Sequence, residues 1–367
     1  MKFNISRDQL LGPLQQIVSV IEKRQTMPIL SNVLIEAVNQ QLILTGTDTE
    51  IQIVARVAAE AIETEGQITV PARKFLDICR LLPAGAEIKF ELQDDKVKLS
   101  SGRSRFSLST LPAEHYPEFN ESETEYQFLL SAAQFKKALD KTLFCMANQD
   151  VRYYLNGLLL HISNNRLKLV ASDGHRLSIY EDDIAQATGY EARIIIPRKA
   201  VQELSRLLDD SEAEINLQFS NNHIKVFYKD VVFSSKLIDA KFPDFSKVFS
   251  QNFMAPLIIP KQALRDALTR VAILSNEKFK GVTFDLANDV LKLSAHNPEH
   301  DEAEEEVLLD YQGAPLSISF NSQYMLDAVS NLDSDQAVLT LAANASSCFI
   351  EEPEQALFKF IVMPMRM

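Results

Sequence analysis

The chain has 367 residues, 46% hydrophobic and 24% charged, which is enough apolar material for several cores and rules out a disordered polymer. A net charge of −13 excludes a protein coated in nucleic acid. Three widely spaced cysteines exclude a disulfide framework or a Cys-x-x-Cys knuckle, and no apolar run has the length of a signal peptide or a membrane span, so a reducing cytoplasm is expected.

In chain order, a short N-terminal strand leads into an amphipathic helix from Asp8, which Gly12 and Pro13 are expected to weaken. Pro28–Ile35 and Gln41–Thr45 read as paired strands, and Gln52–Val57 as a third. Val70-Pro-Ala-Arg-Lys-Phe then opens a basic helix over 72–82. Glu87–Leu92 and Lys96–Ser100 alternate with period two around Asp94-Asp95, a hairpin, and Arg103–Ser109 closes the sheet. The plan then recurs. A helix is expected over 131–144, another over 198–208 after Ile196-Pro197, and another over 261–274. A weaker counterpart runs from Asn321 to Leu332.

Three signatures share one period of about 125 residues. The strand–proline–helix element at Pro71 returns at Pro197. Leu42-x-Leu-x-Gly-x-Asp48 returns as Leu167-x-Leu-x-Ala-x-Asp173 and Leu291-x-Leu-x-Ala-x-Asn297. Tyr116-Pro-Glu-Phe119 returns as Phe242-Pro-Asp-Phe245. The reading is three α+β domains, over 1–124, 125–253 and 254–367, each with two helices on antiparallel sheet.

The four helices over 72–82, 131–144, 198–208 and 261–274 each carry three Lys or Arg against one acid, on a strongly acidic chain. Gathered on one side they would form a basic surface suited to a polyanion. A domain of this length is about 35 Å across. Three in a ring leave a hole of only about 5 Å, whereas six leave about 35 Å, room for a duplex of about 20 Å. A three-repeat chain must therefore pair with itself to encircle DNA.

Enzyme readings are weak. Ten glycines are scattered, none within ten positions of another, so no phosphate-cradling loop exists. His296-Asn-Pro-Glu-His300 matches a zinc-peptidase pattern, but Pro298 interrupts the helix that pattern needs. Asp173-Gly-His-Arg176 reads as a turn. No enzyme activity, cofactor or metal is expected.

The sequence closely resembles the bacterial DNA polymerase III beta-subunit family, the sliding clamps, over its full length. The resemblance rests on Val70–Phe75, Ser101-Gly-Arg-Ser-Arg-Phe-Ser-Leu-Ser-Thr-Leu-Pro112, Gln149-Asp-Val-Arg-Tyr-Tyr-Leu-Asn-Gly157, Ser172-Asp-Gly-His-Arg-Leu177, Ile273–Phe279 and Val362-Met-Pro-Met-Arg-Met367. It implies a head-to-tail homodimer ring of six domains around double-stranded DNA. It also implies tethering of the polymerase III alpha subunit and of other polymerases and repair proteins, and opening by a clamp-loader ATPase. Met367, Ser172 and Lys247 depart from residues common in the family. A static peptide-binding scaffold with no DNA in the ring is the alternative.

Three sites follow. Arg24, Arg73, Arg80, Lys141, Gln149, Lys199 and Arg206 are expected to line or approach the hole, with Tyr153 and Tyr154 at its rim. At the dimer seam, Lys74, Arg103 and Arg105 around Phe106 face Ile273, Leu274 and the acidic run of Glu299, Glu302 and Glu305. A partner pocket begins at the methionine-rich C-terminus, because Met363, Met365 and Met367 alternate beyond the final strand and suit several ligands. Val362, Pro364 and Arg366 belong to that tail. By the resemblance, its other wall is Leu155, Ser172, Gly174, His175, Arg176, Leu177, Pro243, Lys247 and Val248. The expected occupant is a short peptide with Leu and Phe anchors beside a glutamine.

Overall fold

The structure is a computed structural model that describes residues 1–22, 27–119, 123–184, 191–249, 252–354 and 357–365, with the Lys247 side chain outside that set. Six α-helices are formed among these residues: α1 (Arg7–Val20), α2 (Ala72–Leu81), α3 (Ala132–Asp140), α4 (Arg198–Leu207), α5 (Lys261–Ala272) and α6 (Ser322–Ser330). The chain divides into two compact units, residues 1–136 with 199–239 and residues 137–198 with 240–367.

The first unit holds an eight-stranded and a five-stranded antiparallel sheet, the second an eight-stranded and a four-stranded one. Each large sheet is assembled from two repeats. In the first unit Val231–Lys236 of repeat two pairs with Ile51–Ala58 of repeat one, Phe233 opposite Ile53. In the second, Phe358–Val362 of repeat three pairs with Arg176–Asp183 of repeat two, Ile361 opposite Leu177. Backbone pairing across the repeats leaves no edge at the joint, which periodicity within one repeat cannot show.

Buried apolar faces set the helices. In α1, Ser6 caps the N-terminus by accepting from the Asp8 N–H (3.3 Å). This helix runs through Gly12 and Pro13 to Val20, contrary to the expected weakening. An interior proline costs about 3 kcal/mol. Burial of Leu10, Leu14, Ile17, Val18 and Val20 on one face, about 1.5–3 kcal/mol per side chain, outweighs it. α3 ends at Asp140, short of the expected Phe144, and a 3-10 turn over Leu143–Cys145 follows. The recurrent Leu-x-Leu motif owes its last residue to the turn after each strand. Asp48 accepts from the N–H of Glu50 and Ile51, Asp173 from those of His175 and Arg176, and Asn297 from that of Asp301, all at 2.7–3.0 Å.

Candidate peptide pocket, DNA-facing cations and sheet edges

A cavity of about 340 Å³ opens in the second unit. Its floor is one face of the large sheet. Ser172 lies opposite Leu177, and Leu177 opposite Ile361, so these three project to the same side, and Met363 continues the alternation. Pro243 and Val248, from the segment joining repeats two and three, form one wall, and Leu155, Gly174 and Arg176, also expected, line the cavity with them. The pocket thus brings together most of the predicted lining. Its size and apolar floor with a few polar groups at the rim suit anchor side chains of a peptide.

Two arginines shape the rim. Arg176 donates to Asp327 (2.5 Å), Asp173 (3.1 Å) and the Phe144 carbonyl (2.8 Å), and its guanidinium lies 4.3 Å from the centre of the Tyr324 ring. Arg152 grips Asp150 through two nitrogens (3.0 and 2.8 Å) and donates to the Asp173 carbonyl (3.1 Å). Those hydrogen bonds hold the Asp150 carboxyl down at about 2. Gly174 has φ +89°, and a Cβ there would lie 2.6 Å from Arg152 Nη1.

The tail only partly follows expectation. Val362 is excluded because a strand alternates: it points away from Ile361 and Met363 into the core and is 1% exposed. The Met363 N–H donates to the His175 carbonyl (2.9 Å), while the exposed His175 side chain and Pro364 are not among the residues lining the cavity. Met365 leaves this pocket altogether. Its N–H donates to the Ser319 carbonyl (2.7 Å), and it lines a separate cleft of about 410 Å³ with Phe279 and Pro298. Arg366, Met367 and the Lys247 side chain lie outside what is described. Sequence reasoning missed Arg152, Phe242, Asp244, Phe245 and Ile361, and gave Tyr154 to the DNA rim although it lines the pocket. The Phe242-Pro-Asp-Phe245 repeat signal and the alternation from Met363 back to Ile361 pointed to four of these.

Among the expected DNA contacts, Arg73, Arg80, Gln149, Tyr153 and Arg206 are exposed. Arg73 donates to the Ile21 carbonyl (2.7 Å), and Arg206 reaches Glu203 (2.6 Å) with most of its side chain in solvent. Two cations are otherwise engaged. Lys141 is 8% exposed, bonded to Asp333 (2.5 Å) and to the Asn331 carbonyl, with its ammonium 4.3 Å from the Phe358 ring centre. Desolvation drove it to partners inside the unit, so it is no exposed phosphate ligand. Lys199 is half-buried and bonded to Glu22 (2.7 Å) and Asp48. Burial lowers its pKa, but its hydrogen bonds to Asp48 and Glu22 outweigh this and raise it. Arg24 falls outside the described residues.

Some of the expected seam residues lie on two strands that end their sheets among the described residues. Ser104–Ser109 ends the five-stranded sheet, bringing exposed Arg105 and half-buried Phe106, with Arg103 just before it and Lys74 exposed on α2. Glu302–Leu308 ends the four-stranded sheet. Ile273 is 76% exposed at the end of α5, Leu274 is half-buried, and Glu299 and Glu302 are exposed. Glu305 is bound bidentately by Arg270 (2.6 and 2.9 Å) within the same unit, so its charge is already matched.

No group of three or more His, Cys, Asp or Glu among the described residues is placed to hold a metal ion. His296 ends a strand and His300 lies in a turn with φ +68°, so the helix a zinc-peptidase pattern requires does not form.

Models of the DNA polymerase III beta subunit match residues 1–120 (N-terminal domain), 129–244 (central domain) and 246–366 (C-terminal domain). Three tandem clamp domains of helix and antiparallel sheet make this a DNA clamp, a processivity factor and not an enzyme. The beta sliding clamp of Proteus mirabilis is 46% identical over 368 residues, and that of Pseudomonas aeruginosa 42% over 367, each comparison covering 100% of both chains. A crystal structure of the Pseudomonas aeruginosa sliding clamp bound to griselimycin superposes with a TM-score of 0.96 at 42% identity, again over 100% of both chains. The chain belongs to the DNA polymerase III beta-subunit family, the sliding clamps.

Proposed function

We propose that two copies close head to tail into a ring around duplex DNA, each contributing three domains with boundaries near 1–124, 125–253 and 254–367. The observation that carries this is the pair of open edges. A strand edge left unpaired beside exposed apolar side chains is an aggregation hazard unless a partner covers it. Edge Ser104–Ser109 carries Arg105 and follows Arg103, and edge Glu302–Leu308 carries Glu302, follows Glu299 and packs against α5, whose C-cap is Ile273, so the two are complementary in charge and hydrogen bonding. Their pairing twice about a two-fold axis leaves no free end.

Arg73, Arg80 and Arg206 in the first unit, and Gln149 and Tyr153 in the second, then meet the DNA backbone without reading bases, since sliding needs contacts equivalent at every register. The pocket over Leu177 and Ile361 receives a peptide with Leu and Phe anchors and a glutamine, carried by the polymerase III alpha subunit, the clamp loader and other polymerases and repair proteins. The griselimycin complex of the Pseudomonas aeruginosa clamp supports a ligand-accepting clamp surface. We place the protein in the cytoplasm; no helix among the described residues is long and apolar enough to cross a membrane.

The test is topological. The protein is loaded on nicked circular DNA with the clamp loader and ATP, and the circle is then linearised. Retention followed by release on cutting is expected. Retention that survives linearisation, or no retention with an active loader, overturns the ring and leaves a static scaffold.

A further inference from the structure

We infer that the peptide pocket is one half of a longer groove, and that a second cavity on the same sheet face takes the peptide segment adjoining the anchors, a segment carrying one apolar and one acidic side chain. The inference rests on the pocket reading above.

Strand register carries it. Within Arg176–Asp183 and Phe358–Val362, the pocket uses the row Leu177–Ile361. The next residues on that face are Ile179 and Lys359, which lie opposite each other, followed by Glu181, whose N–H donates to the Leu357 carbonyl (2.7 Å). Those residues line a second cavity of about 630 Å³. Two-residue steps along a strand advance about 7 Å, so the cavities are consecutive stretches of one surface. The segment between repeats two and three spans both. Its Phe245 lines the pocket and the second cavity alike, with Val248 on the pocket side and Phe249 on the other.

The chemistry of the second cavity selects its occupant. Ile179, Leu357 and Phe249 offer an apolar floor; Leu357 and Phe249 are each 37% exposed. Three cations, Arg166, Lys168 and Lys359, line it against two acids, Glu181 and Asp183. Glu181 already holds Arg166 (2.9 Å) and Lys168 (3.1 Å), while the partner of Lys359 is Glu351 (2.8 Å), which is not part of the lining. Lys359 is half-exposed, and an exposed ion pair is worth only about 0–1 kcal/mol, so an incoming carboxylate exchanges with Glu351 at little cost. An apolar side chain on the floor and an acid at Lys359 therefore satisfy the site.

The test uses fluorescent peptides against the full-length protein. One is a short peptide with the glutamine, Leu and Phe anchors. Two others are extended by four residues containing Leu and Asp, one at each end. The wild type is compared with a Leu357→Ser/Lys359→Glu variant, whose changes lie outside the pocket. One extended peptide is expected to bind the wild type about tenfold more tightly than the short one, the scale of one further buried side chain. The variant is expected to lose that gain and to keep the short peptide's affinity. If neither extension gains, or the gain survives in the variant, the longer groove is wrong while the pocket stands. If the short peptide fails to bind the wild type, the pocket reading falls and the groove with it.

Discussion

Gly174 shows how one residue governs the pocket rim. Its φ of +89° is costly for any other residue, by roughly 1 kcal/mol or more, and a methyl group would push Arg152 off the Asp173 carbonyl. Gly174→Ala is therefore expected to weaken anchor-peptide binding by about tenfold, read by fluorescence polarization, with a smaller loss in melting temperature. Asp150 makes a second residue-scale prediction. A carboxyl depressed in the folded state adds stability above its unfolded value of about 4 and loses it as pH falls through about 2. An NMR titration is expected to place the Asp150 midpoint near 2, and Arg152→Ala to return it towards 4; an unchanged midpoint would refute the Arg152 assignment. Lys141 is the third case. With its ammonium buried against Asp333 and Phe358, Lys141→Ala is expected to lower thermal stability and leave the salt dependence of DNA retention unaltered, whereas Arg73→Ala is expected to do the reverse.

Close approach between elements explains a difference among the three repeats. The strand Gln41–Thr47 carries Gly46 where the equivalent strands carry Ala171 and Ala295. A Cβ at Gly46 would lie 2.5 Å from Ile17 Cγ2 and 3.0 Å from the Ile17 carbonyl, so α1 sits on a surface that only glycine leaves clear. Gly46→Ala is expected to cost about 1–3 kcal/mol through overpacking, a fall of several degrees in melting temperature. Gly12→Ala, on the same helix with nothing within 4 Å of the new methyl, is expected to raise it, since helical alanine is favoured over glycine by up to about 1 kcal/mol. Opposite shifts in calorimetry from two identical substitutions would establish that packing, not propensity, sets the position of α1.

Dimer closure is the prediction at the scale of the whole molecule. Ile273 is largely exposed in one chain, and apolar burial carries most interface affinity while rim charges set orientation. Replacing Ile273 and Leu274 with alanine is expected to give monomers in analytical ultracentrifugation, with the fold intact by circular dichroism. A dimer of unchanged affinity would remove these residues from the seam. The charge of Glu305 is already matched by Arg270, so Glu305→Gln is expected to weaken the dimer less than Glu302→Gln.

Repeats, helix positions and polar turns were legible in the sequence because each is local. A strand ending in Val70-Pro71 or Ile196-Pro197 starts a helix wherever it occurs, and an Asp or Asn after Leu-x-Leu closes its own turn. Much of the pocket was legible for a different reason, the resemblance of Ser172–Leu177 and of the tail to family motifs. Tertiary structure alone decided the rest. Whether Val362 or Ile361 faces a ligand depends on the pairing register with Arg176–Asp183, and a one-residue slip inverts every side chain. Whether a lysine is available for phosphate depends on acids distant in sequence: Asp333 for Lys141, Asp48 for Lys199. Registers and ion pairs between distant segments form only when the chain is folded, so composition and periodicity carry no record of them.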